Sequence, residues 1–519
     1  MKKHLAFTLT GIGAALLAIT ALPFRPVQAE EAKQAADDGF IAIFDPAEKF
    51  ETHWDGDPRF WKVAEGCIVG QTTAENPTKG NTFLTWKDGE LDDFELLADF
   101  KIEGGNSGIQ VRSFAVPDSP WVVGGYQADF DAGNSYTGIV YGERFRGILA
   151  NRGTKSVIGD DSKPVEERFA KNEDLKDVHK TGQWNTMRVV CKGWTMTNYM
   201  NGVMTAQVTD NDKKNRRRSG ILALQLHAGP PMKVQFKNIK LKRLPLGDVK
   251  KVVLAAGNPS HGPGEHEHRA GCLLIAKALN DSFSDKVLAT VYTGGFPKDP
   301  TALANADALV MYCDGGGGHP ANSRLKIIDA AVQHGMGVGA IHYGVETIAG
   351  DPGNAFLKWM GGFFEINWSV NPHWDAAFDK LPAHAVTRGV KPFTIHDEWY
   401  YHMRFRPDMK GVTPILSALP PKDTLNRPDG SHSGNPAVRE AVAKGQPQTT
   451  MWISENEGGS RGFGFTGGHF HRNWKDENFR KVVLNAIAWI AKAEIPADGV
   501  PSITADDAGM QANLDKKGR

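Results

Sequence analysis

The apolar periodicity of the chain changes once, near "LPLGDVK" at 244–250, and that change limits the fold more than any other feature. Before it, residues 39–245 read as short strands: "FELLADFKI", "SGIQVRSF", "TMRVVCKG", "WTMTNYMNG", "ILALQLHA" and "VQFKNIKLKRL" alternate or run apolar, with Gly, Asn and Asp between them. Helical spacing is nearly absent there, so the first half is expected to be an all-β sandwich or jelly roll. After it, strands alternate with amphipathic stretches. "VKKVVLAAG", "KVLATVY", "ADALVMY", "GVGAI", "TTMWIS" and "GFGFTGG" read as strands. Helices are expected near 267–280, at 321–334 and over "ENFRKVVLNAIAWIAKA". That alternation predicts a doubly wound, mainly parallel sheet. The expected domains are 38–245 and 249–493, joined by a linker at 244–249, with a loosely packed polar tail at 496–519.

A chain of 519 residues is too long for one core, in keeping with two domains. The 60 Lys and Arg balance 60 Asp and Glu, so no net field favours nucleic acid or an acidic membrane. The basic run "NDKKNRRRSG" reads as a solvated hairpin loop. The N-terminus carries Lys2, Lys3 and His4, then an apolar stretch from Leu5 to Leu22, then "VQA". This is the pattern of a signal peptide over 1–29, cleaved after Ala29, and it implies a periplasmic or extracellular protein with no membrane attachment after cleavage. An uncleaved anchor is the alternative. Cys67, Cys191, Cys272 and Cys313 form no CxxC pair, which argues against a zinc ribbon; Cys313 reads as a quiet core thiol.

In the β half, hydrogen-bonding side chains cluster in "GGNSGIQVR", "GGYQADFD", "YGERFRG" and "LQLHAGPP". Alternate residues of a strand share a face, so Gln127 goes with Asp129, Gln225 with His227, and Gln110 with Arg112. A sheet face presenting amides, carboxylates, Arg and aromatics suits a sugar, whose hydroxyls need paired donors and acceptors. Asn106, Arg112, Tyr126, Gln127, Tyr141 and Gln225 are the expected substrate-binding residues, and Asp129, Glu143 and His227 the candidate bases. A self-satisfied structural network is the alternative.

Thirteen of the 17 histidines lie after residue 260, and several sit where strands end. "SHGPGEHEH" follows the first strand of the second half, "VGAIHYGVE" puts His342 at a sharp strand end, and "GGHFHRNW" follows the last strand. Open α/β sheets bind ligands outside the carboxyl ends of their strands. His266, His342 and His469 are therefore candidate ligands of a divalent metal, a site that imidazole suits for Zn, Ni, Cu or Fe. His342, His469 and Glu398 are also candidate acid–base groups. Trp474 is an expected sugar-binding aromatic. "CDGGGGHP" lacks the Lys-Ser/Thr of a phosphate loop and reads as a flexible turn.

Two resemblances rest on ordered motifs. "WKV", "GNSGI", "GYQAD", "WNT", "NGV" and "LQLHAGPPM" make the first half similar to 3-keto-disaccharide hydrolase domains, which are concanavalin-like jelly rolls. Many such domains have Glu-x-Gln after the tyrosine, whereas Gln127-x-Asp129 stands here. "GAIHYG", "FLKWMGGFF", "PAHAVTRGVKPFTIHDEWY" and "GGHFHRNW" make the second half resemble ThuA-like trehalose-utilisation domains, whose flavodoxin-like fold is related to class I glutamine amidotransferases. His342 matches the position where amidotransferases keep a nucleophilic cysteine, which argues against glutamine hydrolysis. Both resemblances imply a 3-keto-sugar or 3-keto-disaccharide substrate and cleavage of its glycosidic bond, by elimination and hydration or by hydrolysis. The alternative is a non-catalytic sugar-binding sandwich attached to a ThuA-like enzyme or regulatory domain.

Overall fold

A computed structural model describes residues 39–517; the expected signal peptide lies outside the described residues. Residues 41 onward form one body built from two halves. The first half packs a ten-stranded sheet on a seven-stranded sheet. The ten-stranded sheet includes Phe94–Glu103, Asn185–Lys192 and Lys233–Arg243, and the seven-stranded one Asn106–Ala115, Val123–Asp131, Val140–Glu143 and Ile221–Leu226. Alternation decides which side chains go inside. Leu96, Ala98, Phe100 and Ile102 of one sheet meet Ile109, Tyr126, Ala128, Phe130, Leu222 and Leu224 of the other in a single core. The intervening residues of the seven-stranded sheet face outward.

The second half has a seven-stranded sheet in the order Val287–Thr293, Lys250–Ala256, Ala308–Tyr312, Gly337–Ile341, Arg461–Phe465, Gln448–Glu455, Val412–Ala418. The first five run parallel and the last two antiparallel. These strands are near-continuous apolar runs because both faces are covered. Val252, Leu254 and Val310 feed a core under helices His268–Ser282 and Glu477–Ile490. Val253, Ala255, Leu309 and Val338 feed a second core under Leu325–Gln333 and Asp351–Met360. The sheet is thus doubly wound, and the strand order reverses between Lys250–Ala256 and its neighbours, where such folds open a crevice.

The tail does not pack loosely. Val500 is fully buried and Met510 is buried in the core under the last helix. The four cysteines are buried and unpaired. Among the described residues no helix is long and apolar enough to cross a membrane.

A fully buried ionic cluster ties the halves together. Arg243, at the end of its sandwich strand, pairs with Asp92 at 3.2 Å and with Asp299 of the α/β half at 2.6 Å. Lys251 reaches the other oxygen of Asp92 at 2.6 Å. Charges this deep need all their partners, because one left alone would be strongly destabilising.

Candidate functional sites on the two halves

On the outer face of the seven-stranded sheet, Gln127 lies opposite Gln110 on one side and Tyr141 on the other. Gln110, Gln127, Asp129, Gln225 and Glu143 make a belt of polar groups in hydrogen-bond contact, with Tyr141 beside it. Asn106 Nδ2 donates to Asp129 Oδ1 at 2.6 Å and Gln127 Nε2 to Asp129 Oδ2 at 2.8 Å. Gln127 also approaches Gln225 Oε1 at 3.2 Å, and Gln225 Nε2 donates to Glu143 at 3.2 Å. Asn81, which no sequence motif singled out, donates to Glu143 at 3.3 Å. Gly108 makes room for this belt, since a Cβ there would stand 2.5 Å from the Gln127 side chain.

The electrostatics of the belt single out Asp129. Burial pushes its carboxyl up to about 7; hydrogen bonds from Asn106 and Gln127 oppose the rise, and the nearby charges of Asp131 and Glu143 add to it. Neutral amides can orient a carboxylate but offer no charge to keep it ionised. Tyr141 is raised by burial and by Glu143 and Asp129, which places its phenol in the same field. His227 follows the strand Ile221–Leu226, and its ring bonds to the Ala228 carbonyl at 2.5 Å.

Two expected sugar-binding residues of this half belong elsewhere. Tyr126 projects into the sandwich core, where its hydroxyl bonds to Asp210, because it alternates with Gln127. Arg112 does not share a face with Gln110. A bulge interrupts the pairing between Val111 and Phe114, and Arg112 takes a left-handed φ of 48° within it. Its guanidinium is buried against the Asp92 carbonyl and the Asp93 carboxylate at 2.7 Å. One extra residue in a strand reverses the facing of the residues beyond it.

The α/β half gathers a tighter cluster at the carboxyl edge of its sheet. His342 ends the strand Gly337–Ile341 and His266 lies in the loop after Lys250–Ala256. His469 follows Arg461–Phe465, and Glu398 ends the strand Phe393–Glu398. All four are buried, and one ligand atom from each lies within 4.8 Å of the others. His342 Nε2 stands 3.0 Å from His266 Nε2, which stands 3.1 Å from His469 Nδ1. Glu398 Oε2 is 3.1 Å from His469 Nδ1 and 3.4 Å from His342 Nε2.

The far side of the rings explains the convergence. His342 Nδ1 donates to the Thr466 carbonyl at 2.8 Å, so its Nε2 presents a lone pair. His266 Nδ1 contacts Asp314 at 2.9 Å, leaving its Nε2 a lone pair as well. Two lone pairs facing at 3.0 Å do not attract. A cation between them resolves the contact: metal–nitrogen bonds of about 2.0–2.1 Å put adjacent ligand atoms roughly 3 Å apart. A carboxylate or carbonyl behind each metal-bound imidazole is the usual outer shell of such sites. The donor set of three imidazoles and one carboxylate thus fits a divalent transition metal.

Charge in this cluster runs opposite to that on the sandwich. Burial works to raise Glu398, but the hydrogen bonds of His342 and His469, and the charge those rings carry when protonated, outweigh it and hold the carboxyl well below its ordinary range. Burial holds His266 neutral. Burial opposes protonation of His469 too, yet Glu398 overcomes it and raises that imidazole. His342 sits in a left-handed turn at φ 54°, and Gly344 lets the turn approach the neighbouring strand Ala308–Tyr312, since a Cβ there would lie 2.9 Å from the Met311 carbonyl. Many α/β enzymes display a nucleophile on a sharp strand-end turn.

Several supporting groups had no sequence signal. Asp314 lies in the "CDGGGGHP" segment read as a mere turn, and Tyr400 bonds both His342 Nε2 at 3.1 Å and Glu398 at 3.2 Å. Asn371 donates to Glu398 Oε1 at 2.9 Å. Trp474 is not a sugar platform. It is buried, and its ring packs on Tyr312 and Phe479. His471 also turns away, to the Met510 carbonyl.

Comparison with known proteins agrees with this division. No curated protein matches the chain. Among solved structures, a candidate glycosyl hydrolase from Parabacteroides distasonis is 19% identical, over 40% of this chain and 99% of its own, with a TM-score of 0.27. A ThuA-like protein from Bacteroides uniformis is 16% identical, over 46% of this chain and 91% of its own, with a TM-score of 0.35. A carbohydrate-binding module from Bacillus subtilis is 13% identical, over 37% of this chain and 95% of its own, with a TM-score of 0.25. Residues 39–242 match the family described as the 3-keto-alpha-glucoside-1,2-lyase-like domain, and residues 262–490 match the trehalose utilisation family, ThuA. Each half of the chain thus matches the model of a different family.

Proposed function

We propose that the protein is an exported carbohydrate-active enzyme that cleaves the glycosidic bond of 3-keto-glycosides, with Asp129 as the base. One observation carries this reading: a buried carboxyl whose pKa lies near 7, held by amides on an outward sheet face. A ketone at C3 acidifies the C2 hydrogen. The ionised Asp129 takes that proton, the electron pair forms the C1–C2 double bond, and the C1 oxygen leaves with the aglycone, receiving the proton from the carboxyl so that an alcohol departs and the carboxylate is restored. Addition of water, hydroxyl to C1 and proton to C2, completes net hydrolysis. A base matched to neutral pH serves such a proton transfer best. The family description names a 1,2-lyase, which is the same bond change.

In the α/β half, His266, His342, His469 and Glu398 would hold a divalent cation. Bound there, it would supply Lewis acidity toward sugar oxygens and an acidified water. Tyr400 and Asn371 orient Glu398, and Asp314 orients His266.

A second reading makes the sandwich a sugar-binding module and leaves cleavage to the histidine cluster. It is favoured by the completeness of the amide belt, in which Gln127 and Gln225 already bond one another. Asp129→Asn in the full chain separates the two. Base catalysis is worth ~10²–10⁴-fold, so a loss of that size in cleavage of a 3-keto-α-glucoside supports the first reading. Unchanged kcat with raised KM supports the second. Point variants are the proper test because separating the halves would expose the Arg243–Asp92–Lys251 cluster.

A further inference from the structure

The loop that presents His266 is strained and has little packing of its own. His261 and His266 adopt left-handed φ of 59° and 44°, and Gly264 lies at 82°. Left-handed conformations at non-glycine residues persist only where the surroundings enforce them. Two backbone bonds join this loop to the loop of His469: His266 N to His469 O at 3.0 Å and His471 N to Gly264 O at 2.9 Å. Neither fixes the carbonyls on the loop's other side.

The segment 507–517 does. It crosses both loops, anchored by Lys475–Asp507 at 2.5 Å, by His471 Nε2 on the Met510 carbonyl at 3.1 Å, and by Arg269 on the Asn513 carbonyl at 3.0 Å. An open pocket of about 390 Å³, lined by Glu265, Phe470, Arg472 and Met510 among others, lies beside it. Met510 packs into the core, and polar bonds hold the rest of the segment to the two loops. At its end, the buried Lys517 ammonium donates to the carbonyls of Gly262 at 3.4 Å, Glu265, and His266 at 3.3 Å. It also pairs at 3.2 Å with Glu267, a fully buried carboxylate that accepts from Gly264 N and Asp515 N. An ammonium with three donors suits such convergent carbonyls.

We propose that Lys517 is a positioning residue for the cation site: it gathers the 262–267 loop so that His266 Nε2 points at His342, Glu398 and His469. The inference rests on the cation site proposed above. It acts through His266 and touches no substrate.

The test uses the full chain with Lys517→Met, Lys517→Arg and the double variant Glu267→Gln/Lys517→Met. The double variant removes the buried carboxylate that Lys517→Met alone would leave unpaired. Zn²⁺ affinity is read by calorimetry, Co²⁺ geometry by visible absorption, and folding by thermal melting. Changes behind a metal ligand typically cost 10–100-fold in affinity, so the double variant is expected to lose that much, with an altered Co²⁺ spectrum and little change in melting. Lys517→Arg, which keeps donors and charge, is expected to recover most of the affinity. A folded double variant with wild-type Zn²⁺ affinity and Co²⁺ spectrum overturns the role of Lys517. A wild-type chain that binds neither ion overturns the cation site itself.

Discussion

Each half buries a carboxylate beside its polar cluster, and the neighbours give the two opposite characters. Asp129 is held by Asn106 and Gln127, whose amides orient it without compensating its charge, so burial wins and its pKa rises to about 7. Glu398 is held by His342 and His469, whose imidazoles win over burial and keep it ionised. On the reading proposed above, the same functional group serves as a base on one scaffold and a ligand on the other. Pairs of titratable groups driven apart by their surroundings are how acid, base and ligand roles are divided in active sites.

The largest effect expected from breaking this contrast is at His342. His342→Ala removes a buried ligand and is expected to abolish Zn²⁺ binding in calorimetry while shifting the melting midpoint little; a large fall in stability with binding retained would make it a structural histidine. Next comes Trp474→Ala, expected to cost ~3–5 kcal/mol in denaturant unfolding because a buried ring is lost. Its KM for a 3-keto-glucoside is expected to stay unchanged, and a selective rise in KM would restore Trp474 as a sugar contact. Asp314→Asn, behind His266, is expected to lower Zn²⁺ affinity ~10–100-fold.

The pH dependence of stability sharpens the comparison further. The raised pKa of Asp129 means that the folded chain keeps a proton which the unfolded chain releases near pH 4. This contribution to stability is therefore fully present below about pH 4 and declines as pH rises toward about 7. Asp129→Asn is expected to flatten that decline in urea unfolding measured from pH 4 to 8. An identical slope in both proteins would mean that Asp129 titrates normally.

The sequence carried the architecture because periodicity reports which faces are covered, and all three cores follow it. It carried the histidine cluster because His266, His342 and His469 each follow a strand, and parallel strands place those loops at one edge. Arg112 escaped it because strand alternation fails across a bulge, which depends on pairing with another strand. Trp474 escaped because an aromatic near a site reads alike whether it faces the sugar or, as here, packs on Tyr312 and Phe479. Asp314 and Tyr400 escaped because their roles exist only through contact with distant histidines. The ion pairs joining the halves, Arg243 with Asp299 and Lys251 with Asp92, likewise had no local signature.

The division of roles between Asp129 and Glu398 is tested most directly by measuring 3-keto-α-glucoside cleavage and Zn²⁺ affinity together in Asp129→Asn and Glu398→Gln. The expected result is a double separation: Asp129→Asn loses cleavage by ~10²–10⁴-fold with wild-type Zn²⁺ affinity, and Glu398→Gln loses Zn²⁺ affinity while still releasing the aglycone. Full cleavage by Asp129→Asn, with cleavage lost only in Glu398→Gln, would contradict it.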